Sequence, residues 1–310
     1  MKLTEVLQEK GFARIVEFSP PRGTELENLI SEVEKVKSLV DFVAITHNPG
    51  GKPRMDSHYA AGILKERGNA EPICHFRIRD GNRIDLYGKL MAAKYLGIEN
   101  ILVIKGDSPK KEVFPEFYEV SDYKNSYEFI ADIKKLNCAL PTSYMEKLFT
   151  EKEIEKHRND YKTDFCIGAA GHPLIPIDLK NPSENAGQEL EGIRKKVEAG
   201  AEFILTQIVY DCEMYCRYRD SVYEALGREI PIIPGVLPIL SASAISFLER
   251  EIVEVRIPEK IRKAICESDK PKEEGIRIAR ELMQNLKENG APGINLFART
   301  DAETAYRILL

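Results

Sequence analysis

Residues 13–23, ARIVEFSPPRG, place the apolar pair Ile15 and Val16 against a carboxylate, Glu17, then Phe18, and stop at the double proline Pro20-Pro21. An apolar, β-branched run bounded by prolines reads as a short buried strand. A carboxylate near the end of such a strand is costly unless it is paired, hydrogen-bonded or used in chemistry. Glu17 therefore marks a strand and, at its end, a place where a polar site can be built.

The same kind of run recurs seven times: DFVAIT (41–46), PICHFRI (72–78), NILVIKGD (100–107), DFCIGAAGHP (164–173), EFILTQIVYD (202–211), PIIPGVLPI (231–239) and GINLFAR (293–299). Near-continuous Val, Ile, Leu and Phe is how strands read when both faces are covered, as in a parallel sheet. Amphipathic stretches separate the runs. Over 25–40, Leu26, Leu29, Ile30, Val33, Val36 and Leu39 form one apolar stripe at helical spacing. Residues 271–289 repeat it with Ile276, Ala279, Leu282, Met283 and Leu286, starting at Pro271 and followed by Gly290 at the C′ position; Gly200 closes another helix before the sixth strand. Eight strand–helix alternations predict a (β/α)8 TIM barrel. The competing architecture, an open doubly wound sheet, lacks its GxGxxG signature after the first strand.

One interval is too long. Between Asp107 and Phe165 lie residues 108–164, of which SYEFIADIKKL reads as the regular fourth helix and 138–164 as a helical insertion after strand 4. Such an insertion is a solvated excursion, a lid or a partner-docking surface. The expected organisation is one barrel domain over residues 1–310 with that insertion inside it.

Bulk composition narrows the function classes. The chain has 310 residues, 43% hydrophobic and 31% charged, with net charge −5. No basic stretch suits binding to nucleic acid through its phosphates. The first residues, MKLTEVLQEKGFARI, are charged at Lys2, Glu5, Glu9 and Lys10 and lack the apolar core of a signal peptide. No apolar run approaches the roughly 20 residues of a membrane span, and a cytoplasmic location is expected. The six cysteines (74, 138, 166, 212, 216, 266) form no CxxC pair and read as free thiols; Cys212 and Cys216 are spaced to share a helix face, without a second pair to complete a metal site.

Barrel enzymes build their sites at the carboxyl ends of the strands. Read in order, those ends carry Glu17, Thr46-His47, His75, Lys105-Gly106-Asp107, His172, Gln207 with Tyr210-Asp211, and Arg299. Three chemistries could use this set. A metal hydrolase could draw on His47, His75 and His172, although the paired first-strand histidines of many such barrels are missing and no metal is expected. A Schiff-base aldolase or lyase could use Lys105, which ends an apolar strand but is followed by Asp107, whose carboxylate keeps an amine charged. The third needs a general acid, an anchoring carboxylate, an amide for a heterocycle and cations for a phosphate-bearing cofactor: Glu17, Asp107, Gln207 and the run Arg194-Lys195-Lys196. The residues alone leave these three open.

The strand ends also match a known family. VEFSPP resembles the FEFFPP motif of methylenetetrahydrofolate reductases, DFVAIT their FVSVT strand, ICH their PHLTC strand, LVIKGD their LxLRGD, and GAAGHP their VAGYP turn. KKVEAGAEFILTQIVYD is similar to KVDAGAxxxITQxFFD, and IIPGVLPI to IIPGILPI. The motifs occur in the same order from about residue 14 to 240, and the likeness continues weakly to the end. The resemblance implies a (β/α)8 barrel that holds FAD and reduces 5,10-methylenetetrahydrofolate to 5-methyltetrahydrofolate. Glu17 is then the general acid, with a raised pKa, and Asp107 lies by flavin and pterin. Thr46, His75, Lys105, Gly106, His172, Lys195 and Lys196 fall at cofactor-binding positions, and Gln207, Asp107 and Arg299 at substrate positions. Two departures stand out. Lys105 replaces an arginine before Gly-Asp, and Asp301 stands where the family's last-strand motif has the arginine that holds the folate tail, leaving Arg299 two residues away as its substitute. Electrons are expected from NADH, NADPH or a partner subunit, and the chain is expected to be oligomeric.

Overall fold

Each apolar run forms a strand, and the amphipathic stretches fold back over them. The structure, a computed structural model, describes residues 1–107, 120–173, 184–251, 255, 257–299 and 301–310. In chain order its first half runs α1 (Leu3–Lys10), β1 (Ala13–Phe18), α2 (Leu26–Val36), β2 (Phe42–Ile45), α3 (Ser57–Glu66), β3 (Pro72–Arg77), α4 (Arg83–Tyr95) and β4 (Asn100–Ile104). Then follow α5 (Ser126–Asn137), α6 (Met145–Leu148), α7 (Glu151–His157), β5 (Cys166–Gly171), α8 (Glu184–Ala199), β6 (Phe203–Ile208) and α9 (Cys212–Leu226). The last part is β7 (Ile232–Val236), α10 (Ala242–Glu251), α11 (Glu259–Glu267), α12 (Pro271–Glu288), β8 (Gly293–Arg299) and α13 (Ala302–Leu309). The strands pair in sequence order, all parallel, and β8 closes onto β1. The architecture is the (β/α)8 barrel that the alternation predicts.

Two details differ from the sequence pattern. The apolar stripe over 25–40 is helical only to Val36. Leu39 turns back onto the Val36 carbonyl (2.8 Å), and Asp41 pins the chain to β1 through its own N–H to the Arg14 carbonyl (2.9 Å) and its carboxylate to the Arg14 N–H (2.9 Å). The interval between β7 and β8 is also long, because α10 and α11 precede the expected α12. Segment 138–164 holds α6 and α7, the second started by a Thr150–Glu153 capping box.

Strand periodicity sorts the side chains. Ala13, Ile15, Phe42, Ala44, Ile73, Leu102, Cys166, Phe203, Leu205 and Ile233 form one buried cluster inside the barrel with Leu3 and Val6 of α1. Alternate residues such as Val16, Phe18, Val43, Ile45, Phe76 and Ile101 pack outward against the helices. Room inside is tight: a Cβ at Gly168 would stand 2.3 Å from the Phe203 ring, so glycine there makes space for it. α1 closes the amino-terminal end. It is fastened by Asn100, fully buried, whose Oδ1 accepts the Leu3 N–H (2.7 Å) and whose Nδ2 donates to the Met1 carbonyl (2.9 Å).

Losing both bonds leaves main-chain groups under α1 without partners. Asn100→Ala is therefore expected to destabilise the fold by about 1–3 kcal/mol, read as a lower urea midpoint with an unchanged slope.

Candidate active site

The inner positions nearest the carboxyl ends of the strands turn from apolar to polar within one residue pair. On β1 the inward sequence is Ala13, Ile15, Glu17. Glu17 lies in register with Ala44 on β2 and Phe297 on β8. Opposite it β8 bulges, because Phe297 pairs with Glu17 but Arg299 pairs with Phe18, leaving Ala298 as the extra residue. A bulge beside a functional group re-aims the side chains around it. The Glu17 side chain is 14% exposed. Its Oε2 accepts a hydrogen bond from Nδ2 of the buried Asn295 (3.2 Å), and His75 Nε2 stands 3.9 Å away. Burial, helped by His47, pushes the His75 imidazole down to about 3. The ring is neutral at physiological pH, so this contact is not an ion pair. Among the described residues, His75 Nε2 and Asn295 Oδ1 have no hydrogen-bond partner.

Beside this pair, Thr46 donates from Oγ1 to Ser19 Oγ (3.0 Å) at the top of β2. His47, one position on, faces outward: its ring meets His58 of α3 edge-on at 5.2 Å, and burial pushes its pKa down to about 4. The three histidines considered for a metal thus do not converge. Among the described residues no group of three or more His, Cys, Asp or Glu side chains could hold a metal ion. Cys212 and Cys216 do share one turn of α9, with sulfurs 3.9 Å apart.

The β3–β4 side is organised by Arg77, a residue that the sequence reading does not single out. It is 2% exposed, donates to the Asn48 carbonyl (2.7 Å) and to the Asp107 carbonyl, and lies 3.2 Å from the Asp80 carboxylate. Gly106 has φ +93°, and a Cβ on it would stand 2.2 Å from Arg77 Nε. Glycine is required there by both conformation and space. Asp107 is exposed, and its carboxylate accepts the Gly50 N–H (3.0 Å); Lys105 is exposed as well.

The β5–β6 side carries a second polar group. Glu189 of α8, only 8% exposed, accepts the His172 N–H (2.8 Å) and the Tyr218 hydroxyl (2.7 Å), and lies 3.4 Å from His172 Nδ1. Burial raises its pKa, but the His172 contacts and the nearby Lys196 outweigh this and hold its carboxyl down to about 2. Lys196 donates to the Ala170 carbonyl (2.8 Å), and burial lowers its pKa. Its neighbour Lys195 is turned away, 3.3 Å from Glu191 and over the Tyr127 ring at 5.7 Å; Arg194 is spent on Glu191 and Glu198. On β6 the pairing also slips, Leu205 to Ile233 and Ile208 to Gly235, and Gln207 sits in that irregularity with Oε1 on the Ile208 N–H (3.2 Å).

The site residues thus fall into a Glu17–His75 centre with Thr46 at the end of β2 between them, an Asp107–Gly106 corner and a His172–Lys196 corner; Gln207 lies across the barrel on β6, and Lys195 joins none of these groups. The backbone of Arg299 is the last of β8, and its side chain lies outside the described part of the structure. Asp301 caps α13, accepting from the Thr304 N–H (2.9 Å) and hydroxyl (2.6 Å). Next to it a cavity of about 240 Å³, lined by Leu237, Phe247, Phe297 and Asp301 among others, opens between β8, α10 and α13. Arg77 had a signal, since it lies two residues from His75 on its strand, at the inward period; Asn295, four residues and a bulge before Arg299, had no such local signal. Glu189 had none, as nothing distinguishes it from its neighbours on a charged helix.

Because the folded pKa of Glu189 lies below its ordinary 4.5, its interactions stabilise the fold above that value and are lost as pH falls towards about 2. Glu189→Gln is expected to flatten the stability profile between these limits. The difference from wild type should approach about 3 kcal/mol at neutral pH and shrink as pH drops, as chemical denaturation at stepped pH would record. A parallel offset at every pH would assign the loss to packing alone.

Comparison with known proteins agrees with this geometry. The family described as methylenetetrahydrofolate reductase matches residues 2–310. The 5,10-methylenetetrahydrofolate reductase of Salmonella typhimurium is 28% identical over 301 residues, covering 94% of this chain and 88% of that one. Its Escherichia coli counterpart is 27% identical with the same coverage. Among solved structures, an uncharacterised protein from Clostridium thermocellum, described as binding two copies of 5-methyl-5,6,7,8-tetrahydrofolic acid, superposes with a TM-score of 0.60 at 15% identity, over 98% of this chain and 97% of that one. With its barrel complete and the match running almost end to end, this chain belongs to the methylenetetrahydrofolate reductase family.

Proposed function

We propose that the protein reduces 5,10-methylenetetrahydrofolate to 5-methyltetrahydrofolate, with FAD as cofactor and Glu17 as the proton donor. The observation that carries this reading is Glu17 itself: a carboxyl two positions above the apolar barrel interior, 14% exposed, held by a neutral amide and faced by a neutral imidazole. A carboxyl in such surroundings suits general acid catalysis.

The mouth has features that suit a flavin. Buried His75 Nε2 lacks a partner among the described residues, as a group awaiting a heterocycle's own donors and acceptors does. Thr46, His75, Lys105, Gly106 and Asp107 would hold the ring system, and His172 with Lys196 the nucleotide end, where a cation favours phosphate. Lys195, engaged with Glu191, would contribute only through the general field of α8. When bound, FAD in its reduced form supplies the hydride.

The remaining tasks belong to the chain. Glu17 gives its proton to N10 of the bridging imidazolidine as the C–N10 bond breaks. The bridging carbon is left as an iminium on N5, the acceptor of the hydride. The Asp107 carboxylate stabilises that cation. Gln207, whose Oε1 is held by the Ile208 N–H, presents its amide N–H groups to the pterin edge. Arg299 is proposed to meet the folate tail, since Asp301 is committed to capping α13. An aldolase using Lys105 finds less support, because its amine is exposed and a Schiff-base lysine works best desolvated.

The test is a rapid-mixing experiment. Protein reduced without oxygen and mixed with methylenetetrahydrofolate should regain the oxidised-flavin spectrum as methyltetrahydrofolate forms. Glu17→Gln should keep its flavin and react about 100-fold or more slowly. Reoxidation at the wild-type rate in that variant would make Glu17 structural and the mechanism wrong.

A further inference from the structure

We propose that Asn295 is a positioning residue that fixes the Glu17 carboxyl for proton transfer and can serve it in both protonation states. The inference rests on Glu17 being the acid of the proposed reaction.

Asn295 occupies an inner position of β8, is 1% exposed, and follows Gly293 at the strand period of two. A carboxamide inside a barrel is expensive unless both of its halves are bonded. Here Nδ2 donates to Glu17 Oε2 (3.2 Å), while Oδ1 has no partner among the described residues. An aliphatic side chain would fill the position without that penalty, so the use of an amide is explained by the carboxyl it meets.

The chemistry of the pair fits a group that gains and loses a proton in each cycle. The ionised carboxyl can accept from Nδ2–H across the 3.2 Å contact. The protonated carboxyl has an O–H to donate. A half-turn of the amide exchanges nitrogen for oxygen within nearly the same outline and brings the acceptor Oδ1 to it. One side chain therefore restrains Glu17 before and after transfer. It does so without adding a charge, whereas a cation in the same place would favour the ionised form and weaken the acid. The neutral His75 stands 3.9 Å from the same Oε2. The bulge at Ala298, three residues further along β8, sets the turn of the strand just beyond them.

The experiment is a double-mutant cycle on single-turnover reoxidation of the reduced holoenzyme by methylenetetrahydrofolate. Asn295→Leu keeps approximate volume and removes both hydrogen-bonding groups; Asn295→Ala is measured as well, and stands in if the leucine variant does not fold. The rate constant at saturating substrate should fall roughly 10- to 100-fold, and the substrate concentration giving half that rate should move no more than about twofold. In a Glu17→Gln background the same substitution should change the rate by no more than about twofold, because the group it positions is already gone. An equal loss in both backgrounds would overturn the inference.

A second readout needs no substrate. Infrared bands of the Glu17 carboxyl, assigned by their disappearance in Glu17→Gln, should shift in Asn295→Leu; bands that stay in place would overturn the pairing. Should wild-type enzyme fail to reoxidise at all, the proposed reaction falls, and the infrared comparison still decides whether Asn295 holds Glu17.

Discussion

Eight parallel strands closed into a cylinder leave no free edge and send every second side chain into one lumen. Everything else in the molecule is arranged around that constraint. The lumen has two ends that must be finished differently. At the amino-terminal end Leu3 and Val6 of α1 complete a dry cluster with Ile15, Phe42, Ile73 and Phe203. At the other end a polar mouth begins where this cluster stops. Glu17 is two residues above Ile15, so its carboxyl stands at the boundary between close-packed hydrocarbon and the mouth. That location leaves it partly exposed, at 14%. The same closure makes Asn295, 278 residues away in the chain, its hydrogen-bonding neighbour.

Glu189, buried, and Glu17, partly buried, stand in different surroundings at the mouth. Glu189 receives a hydroxyl, a main-chain N–H and an imidazole, with Lys196 nearby, and stays ionised to about pH 2. It is an anchor joining β5, α8 and α9, and a group so firmly ionised is no proton donor at neutral pH. The groups described against Glu17 are an amide and a neutral ring. They restrain its position. Charge-assisted bonding commits Glu189 to an anchoring task.

Much of the barrel was legible because strands covered on both faces concentrate Val, Ile, Leu and Phe into runs that turn residues punctuate. The short helices α10 and α11 were not, since neither carries a stripe as long as that of α12. Within the site, Glu17 and His75 were legible as polar residues ending apolar strands. Lys195 and Lys196 were not separable, because neighbours on a helix point about 100° apart and only the packed phase of α8 shows which one turns to β5. Asn295 was hidden for a different reason. Its role depends on the register between the first and last strands, which no local pattern encodes.

The substitution of Lys105 for an arginine before Gly106-Asp107 has a structural counterpart one strand away. A lysine supplies a point charge, and Lys105 projects into solvent, so the planar fork that can grip two carbonyls at once is absent from β4. Arg77 provides such a fork from β3. One terminal nitrogen donates to the Asn48 carbonyl and the other to the Asp107 carbonyl, which ties the ends of β2, β3 and β4 into a single corner. That grip explains Gly106: its φ of +93° bends the chain around the guanidinium, and any side chain there would collide with Arg77. The direction in which Asp107 leaves the strand is therefore set by a buried arginine on the neighbouring strand, and Lys105 is left exposed.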